Sequence, residues 1–142
     1  MPRFMIQVRA TAMSEAGDFP DDPTLVPRMM AFHDEMARAG VLVDGAGLQP
    51  SSQGFRVHYD AAGRPQVLDG PFAETKELIA GYTLIDVPSR DEALAWARRF
   101  PAPFPGLDCC IEVRPLMGGI DLPPEDAERL IREQLASIKR GG

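Results

Sequence analysis

The chain has 142 residues, 44% of them hydrophobic, with 21 Asp and Glu against 15 Lys and Arg for a net charge of -6. A chain of this size can bury roughly two-thirds of its unfolded surface in one core without disulfide or metal staples. Its lysines and arginines are scattered, so it lacks the basic face that nucleic acid requires, and nucleic acid is not expected as a partner. No apolar run approaches the ~20 residues that span a bilayer, so no membrane partner is expected.

The chain enters directly on a strand-like segment, Phe4-Met5-Ile6-Gln7-Val8, with no secretory signal before it. Together with the cysteine usage this predicts a reduced, cytoplasmic setting. Residues 11–22 are small, acidic and glycine-bearing and read as a loop. A helix is predicted from Thr24 to Ala39, with Thr24 as N-cap, Pro27 in the first turn and Gly40 as the stop. Leu25, Met29, Phe32 and Met36 make its apolar stripe.

Val41-Leu42-Val43 opens a second strand that runs irregularly through Gly45 and Gly47 to Leu48. Phe55 to Asp60 alternates with period two, and Ala62-Gly63 turns it into Pro65-Gln66-Val67-Leu68, which predicts a hairpin. Ile79 to Val87 reads as a strand in which Gly81 marks a close backbone approach. Ser89-Arg90-Asp91-Glu92 is a capping-box pattern before a helix that carries Ala93, Trp96, Ala97 and Phe100 on one face. Pro101, Pro103 and Pro105 end that helix, and Cys109 to Pro115 reads as the last core strand. The adjacent Cys109 and Cys110 point to opposite faces of a strand and cannot bridge each other. Residues 116–122 read as a linker with Gly118-Gly119, and residues 124–139 as an amphipathic helix with Ala127, Leu130, Ile131, Leu135 and Ile138 on one side.

This order predicts an α+β sandwich, with two helices on one face of a mainly antiparallel sheet. The other sheet face needs a cover, and a second subunit is the simplest one. The expected organisation is a core domain over residues 1–117 followed by a linker and C-terminal helix over 118–142.

Chemistry concentrates in Asp69-Gly70-Pro71-Phe72-Ala73-Glu74-Thr75-Lys76-Glu77. Proline fixes its own φ and restricts the residue before it, so this turn can aim side chains. Asp69 is a candidate catalytic base or anchor, and equally a turn cap through backbone N–H groups. Phe72 walls a pocket or plugs the core; Glu74, Lys76 and Glu77 line a polar pocket or form a solvated ion-pair patch. Glu112 and Arg114 share one face of the last strand, where they bind a polar ligand or pair across an interface. His33, at the edge of the first helix's apolar stripe, is the second catalytic candidate, against a structural role. His58, with Arg56 and Asp60, reads as solvated. Two distant histidines and two strand-opposed cysteines offer no metal-ligand spacing, and no cofactor is expected.

The nine residues from Asp69 to Glu77 resemble the DGPF (DGPFAETKE) branch of the YCII-related domain family. Gly40, Leu48, Gly81-Tyr82, Asp91-Glu92-Ala93, Trp96-Ala97 and Glu112-Val113-Arg114-Pro115 support the resemblance over residues 1 to 117. It implies a ferredoxin-like fold that dimerises as an α+β barrel, in a family largely without assigned reactions. A related branch carries a His–Asp pair whose first-helix histidine falls near Met29, one turn before His33. DGPF members are often encoded beside sigma factors. Two functions are therefore expected as alternatives. One is a small metal-independent enzyme acting on a small polar or anionic metabolite. The other is a non-catalytic dimeric module with a sigma factor as partner.

Overall fold

Alternation of apolar residues along the strands builds one sheet with one buried face. The computed structural model describes residues 2–117 and 124–141. In chain order it runs β1 (Arg3–Arg9), α1 (Ala12–Glu15), α2 (Leu25–Arg38), β2 (Leu42–Gly47), β3 (Phe55–Tyr59), β4 (Pro65–Asp69), β5 (Ile79–Asp86), α3 (Arg90–Arg99), β6 (Ile111–Pro115) and α4 (Pro124–Gly141). The main sheet has the order β2-β5-β1-β6, and every neighbouring pair is antiparallel. The hairpin β3-β4 forms a separate two-stranded sheet. Among the described residues no helix is long and apolar enough to cross a membrane.

The register puts Phe4 opposite Ile85 and Ile6 opposite Thr83 and Val113, so these residues share the face under the helices. Ile6, Met36, Ile85 and Val87 are fully buried there, each worth roughly 2–3 kcal/mol of apolar transfer. Phe32 of α2 joins them and meets Trp96 and Phe100 edge-on, at centroid distances of 6.0 and 5.6 Å. Arg99 lies over the Trp96 ring at 5.0 Å and pairs with Glu35, clasping α3 to α2. The Arg99 hydrogen bond holds Glu35 below the usual carboxylate range. Whatever this exposed clasp contributes is thus present at neutral pH and lost as acid titrates Glu35.

Three local expectations are corrected or refined. Residues 11–22 are not all loop, because Thr11 and Ser14 cap each other reciprocally and start the one-turn α1. Thr24 stands at the N-cap of α2, as expected, but its side chain makes no cap bond; its amide and hydroxyl donate instead to Asp22, at 2.8 and 2.7 Å. The last strand begins at Ile111, not Cys109, although the Cys110 carbonyl already accepts from the Arg9 amide. The Ser89 hydroxyl caps α3 by accepting from the Glu92 amide. Gly40 stops α2 with φ +77°, and Gly63 turns the hairpin with φ +82°. Gly81 does mark a close approach: a Cβ there would stand 2.9 Å from the Ala46 carbonyl oxygen on the neighbouring strand. The linker predicted over 116–122 lies, from residue 118 onward, outside the described residues. On α4, Leu130, Ile131, Leu135 and Ile138 are exposed.

Candidate functional site

The α2 helix packs on the sheet at one end only. Phe32 and Met36 are buried, whereas Leu25 and Met29, nearer its start, are half-buried. Beneath it, the helix-facing residues of β5 and its extension shrink in order from Val87 and Ile85 to Thr83 and Gly81. On β2 the matching positions are Leu42 opposite Ile85, Gly45 opposite Thr83 and Gly47 opposite Gly81. Side chains disappear from the sheet where the helix leaves it. The space between is an open cleft of about 940 Å³, bordered by Phe100 and Phe104 and, at the loop, by Phe19 and Pro20. Its volume lies in the ~300–1,000 Å³ range typical of small-molecule sites.

His33 and Thr83 meet at the boundary between core and cleft. The His33 ring places Nδ1 2.8 Å from the Met29 carbonyl oxygen and Nε2 2.8 Å from Thr83 Oγ1. A carbonyl only accepts, so Nδ1 carries the proton and donates to it. In the neutral ring Nε2 is then an acceptor, and the Thr83 hydroxyl donates to it. Thr83 is 2% exposed and is the one buried polar residue among those described. A hydroxyl buried without a partner is costly, and His33 supplies that partner. The His33 ring is steadied by edge contacts with Phe32 and Phe100, at 6.0 and 5.9 Å. Asp18 and Asp44 are among the residues around the cleft, and among the described residues no lysine or arginine lines it.

Of the candidate catalytic and ligand-binding residues read from the sequence, His33 alone lines this cleft. Asp69, Glu74, Lys76 and Glu77 are exposed, and Phe72 is half-buried with the Arg56 guanidinium 3.8 Å above its ring. Among the described residues the Asp69 carboxylate makes no hydrogen bond or ion pair. It does not cap the turn, because the turn's donors are already taken: the Gly70 amide donates to the Gly54 carbonyl and the Phe72 amide to Ser51 Oγ. Nor do Glu74, Lys76 and Glu77 pair with one another among the described residues; Lys76 contributes its carbonyl, which accepts from the Arg9 guanidinium. Glu112 and Arg114 do share a face, the one away from the helices. There Glu112 pairs with Arg114 at 3.5 Å and Arg9 at 3.9 Å. Asp60 leaves the strand face shared by Arg56 and His58 and closes the hairpin turn instead, accepting from the Ala62 and Arg64 amides. Among the described residues no group of three or more His, Cys, Asp or Glu is placed to hold a metal ion.

Sequence reasoning missed Thr83. Its signal was a lone hydroxyl in the helix-facing set Gly81, Thr83, Ile85, Val87, which is otherwise apolar or bare.

The turn after Asp69, whose Gly70-Pro71 peptide is cis, is buckled to the rim of the cleft through Ser51. A Cβ on Gly70 would fall 1.8 Å from the Ser51 carbonyl oxygen, so only glycine lets the turn sit this close. Ser51 is the clasp: its amide donates to Glu15 Oε1 at 3.0 Å, its hydroxyl donates to Glu15 Oε2, and its oxygen accepts from Phe72. Pro50, beside it, lines the cleft. Replacing Ser51 by Ala removes two of these three bonds and leaves the Glu15 carboxylate partly unsatisfied. The expected loss is about 1–3 kcal/mol of unfolding free energy in urea titration, and a stability within error of wild type would show that the clasp is idle.

The model of the YCII-related domain matches residues 3–117. An uncharacterised protein of Rhizobium meliloti (strain 1021) is 38% identical over 96 residues, covering 68% of this chain and 76% of that protein. The matched span holds the whole main sheet, α2, α3 and the cleft between them, and on that span the chain belongs to the YCII-related domain family.

Proposed function

We propose that the chain is a small acid–base enzyme, working without metal on a neutral and largely apolar metabolite held in the cleft between α2 and β2. The observation that carries this reading is the His33–Thr83 pair, set at the inner end of a cleft of about 940 Å³. Imidazole is the side chain whose proton affinity suits exchange near neutral pH, and a mostly apolar surround with few polar groups is the usual make-up of a metabolite site. The cleft's electrostatics turn the expectation of a polar or anionic ligand toward a neutral one. A buried anion would lack a permanent cation and would face Asp18 and Asp44.

The test uses N-phenyl-1-naphthylamine, a neutral apolar dye that brightens when it leaves water. Gly47 lines the cleft, and a Cβ there would meet nothing within 4 Å, so the side chain of Gly47→Leu starts into open space. Wild type is expected to bind the dye, and Gly47→Leu to bind it at least ~10-fold more weakly, a cost of about 1.4 kcal/mol. Equal binding by the two proteins would place the dye elsewhere and count against the reading.

A second reading is favoured by the sheet face away from α2 and α3, which no element covers among the described residues. It carries half-buried Met5, Tyr82 and Leu84 together with the Arg9, Glu112 and Arg114 cluster. We infer a homodimer through this face, in keeping with the strand order β2-β5-β1-β6 of a ferredoxin-like sandwich closed as a barrel, and membership of the DGPF branch. The second copy would then enclose Glu112 and Arg114, and it is the cover this reading assigns to Asp69, Phe72, Glu74, Lys76 and Glu77. Such a chain could also serve as a non-catalytic cytoplasmic module beside a sigma factor, with the exposed face of α4 as its contact. Sedimentation equilibrium is expected to give a dimer for wild type and a monomer for Leu84→Arg. A wild-type monomer at high concentration would remove this reading.

A further inference from the structure

We infer that Thr83 is the group the substrate touches, and that it relays a proton between an acidic hydroxyl of the ligand, phenol or enol, and His33. The inference rests on the cleft reading above and assigns its ligand a chemical class.

Both ring nitrogens of His33 are engaged, Nδ1 by the Met29 carbonyl and Nε2 by Thr83 Oγ1. A ligand therefore reaches the imidazole through Thr83. In the neutral pair the Thr83 proton is committed to Nε2, and what Thr83 presents outward is a lone pair. It asks for a donor, and a ligand O–H is the donor that can also give up its proton.

The approach to Thr83 is kept clear by glycine. Gly45 is its cross-strand partner on the same face, and a Cβ on Gly45 would stand 3.6 Å from Thr83 Oγ1 and 3.2 Å from the Tyr82 carbonyl oxygen. With Gly47 and Gly81 beside it, Gly45 leaves a floor of bare backbone. A flat molecule lies on such a floor, and Phe100 and Phe104 wall it. The ligand class is thus a planar, neutral molecule with one acidic hydroxyl at its inner end.

The step balances. The ligand O–H bond breaks and its proton passes to Thr83 Oγ1. The Thr83 proton passes to Nε2, and Thr83 ends as a neutral hydroxyl that donates to the new ligand oxyanion. His33 ends as imidazolium, with Nδ1–H still on the Met29 carbonyl. No net charge enters the cleft, which suits a site lined by two carboxylate residues and by no lysine or arginine among the described residues. Reversal returns the proton to oxygen, or to a neighbouring carbon when the ligand is an enol.

The experiment uses 4-nitrophenol, whose phenol and phenolate forms absorb at different wavelengths. It is run on the full chain at a pH about one unit below the probe's own pKa, where roughly a tenth of the free probe is ionised. Wild type is expected to bind it in competition with N-phenyl-1-naphthylamine and to hold it mainly as phenolate, an approximately tenfold rise in ionised fraction. Thr83→Val and His33→Gln are expected to bind it as the neutral phenol, and Thr83→Ser to restore the phenolate band. Neutral phenol bound to wild type would overturn the relay, and so would nitrophenol that fails to bind while the dye still binds. Loss of both probes from folded wild type would overturn the cleft reading itself. If Thr83→Val fails to fold, the His33→Gln and Thr83→Ser spectra decide alone: phenolate in the first, or its absence from the second, contradicts the relay.

Discussion

One constraint shapes this molecule: α2 has too few large side chains beneath it to lie flat on the sheet along its whole length. Phe32 and Met36 seat one end against Ile85 and the rest of the core. Toward the other end the sheet offers Thr83, then Gly81, Gly45 and Gly47. Interiors are packed to crystal-like density, and a helix cannot collapse onto a floor without side chains when its other end is already fixed. The cleft is the consequence. The His33–Thr83 hydrogen bond ties helix to sheet at the line where packing stops, so its polar cost is met and its atoms stay within reach of the open space.

The turn from Asp69 to Glu77 serves the same geometry from outside. Its charged side chains stay in solvent, while its backbone is closed against Ser51, and Ser51 is tied through Glu15 to α1. Arg9 holds the other end of this segment by the Lys76 carbonyl. The turn thereby joins the hairpin, α1 and the end of β1 around the rim of the cleft. A two-stranded hairpin alone is marginal in water, so this buckle, and any subunit that covers Phe55, Tyr59 and Val67, which are 66%, 63% and 64% exposed, gives the hairpin its support.

Much of the fold was legible because the sheet is buried on one face. The apolar runs of β1 and β5 and the stripe on α2 report burial, the glycine and proline stops report where elements end, and the alternation of Phe55–Asp60 reports a strand. The short α1 was not legible, since one turn leaves no periodicity and only the Thr11–Ser14 cap marks it. The site was legible in fragments. His33 stood out by its chemistry and Gly81 by its place in a strand, but Gly45, Thr83 and His33 meet only once the strand order and the β2 register, with its bulge before Asp44, are known. The Gly70-Pro71 turn drew attention to Asp69 because rigid turns can aim side chains. What the turn aims here is backbone, toward Ser51, and that depends on a contact between segments far apart in the chain.

The Met29 carbonyl and the Thr83 hydroxyl set the orientation of the His33 ring, with Nδ1–H on Met29 and Nε2 facing Thr83 at the inner wall of the cleft. The chain has two histidines, so a long-range proton–nitrogen correlation on protein labelled with nitrogen-15 in its histidines resolves both. One ring, removed by His33→Gln, is expected to show a protonated Nδ1 and a pyridine-type Nε2 that shifts when a hydroxyl-bearing ligand binds. A His33 ring protonated at Nε2 alone, or one averaging freely between tautomers, would contradict it.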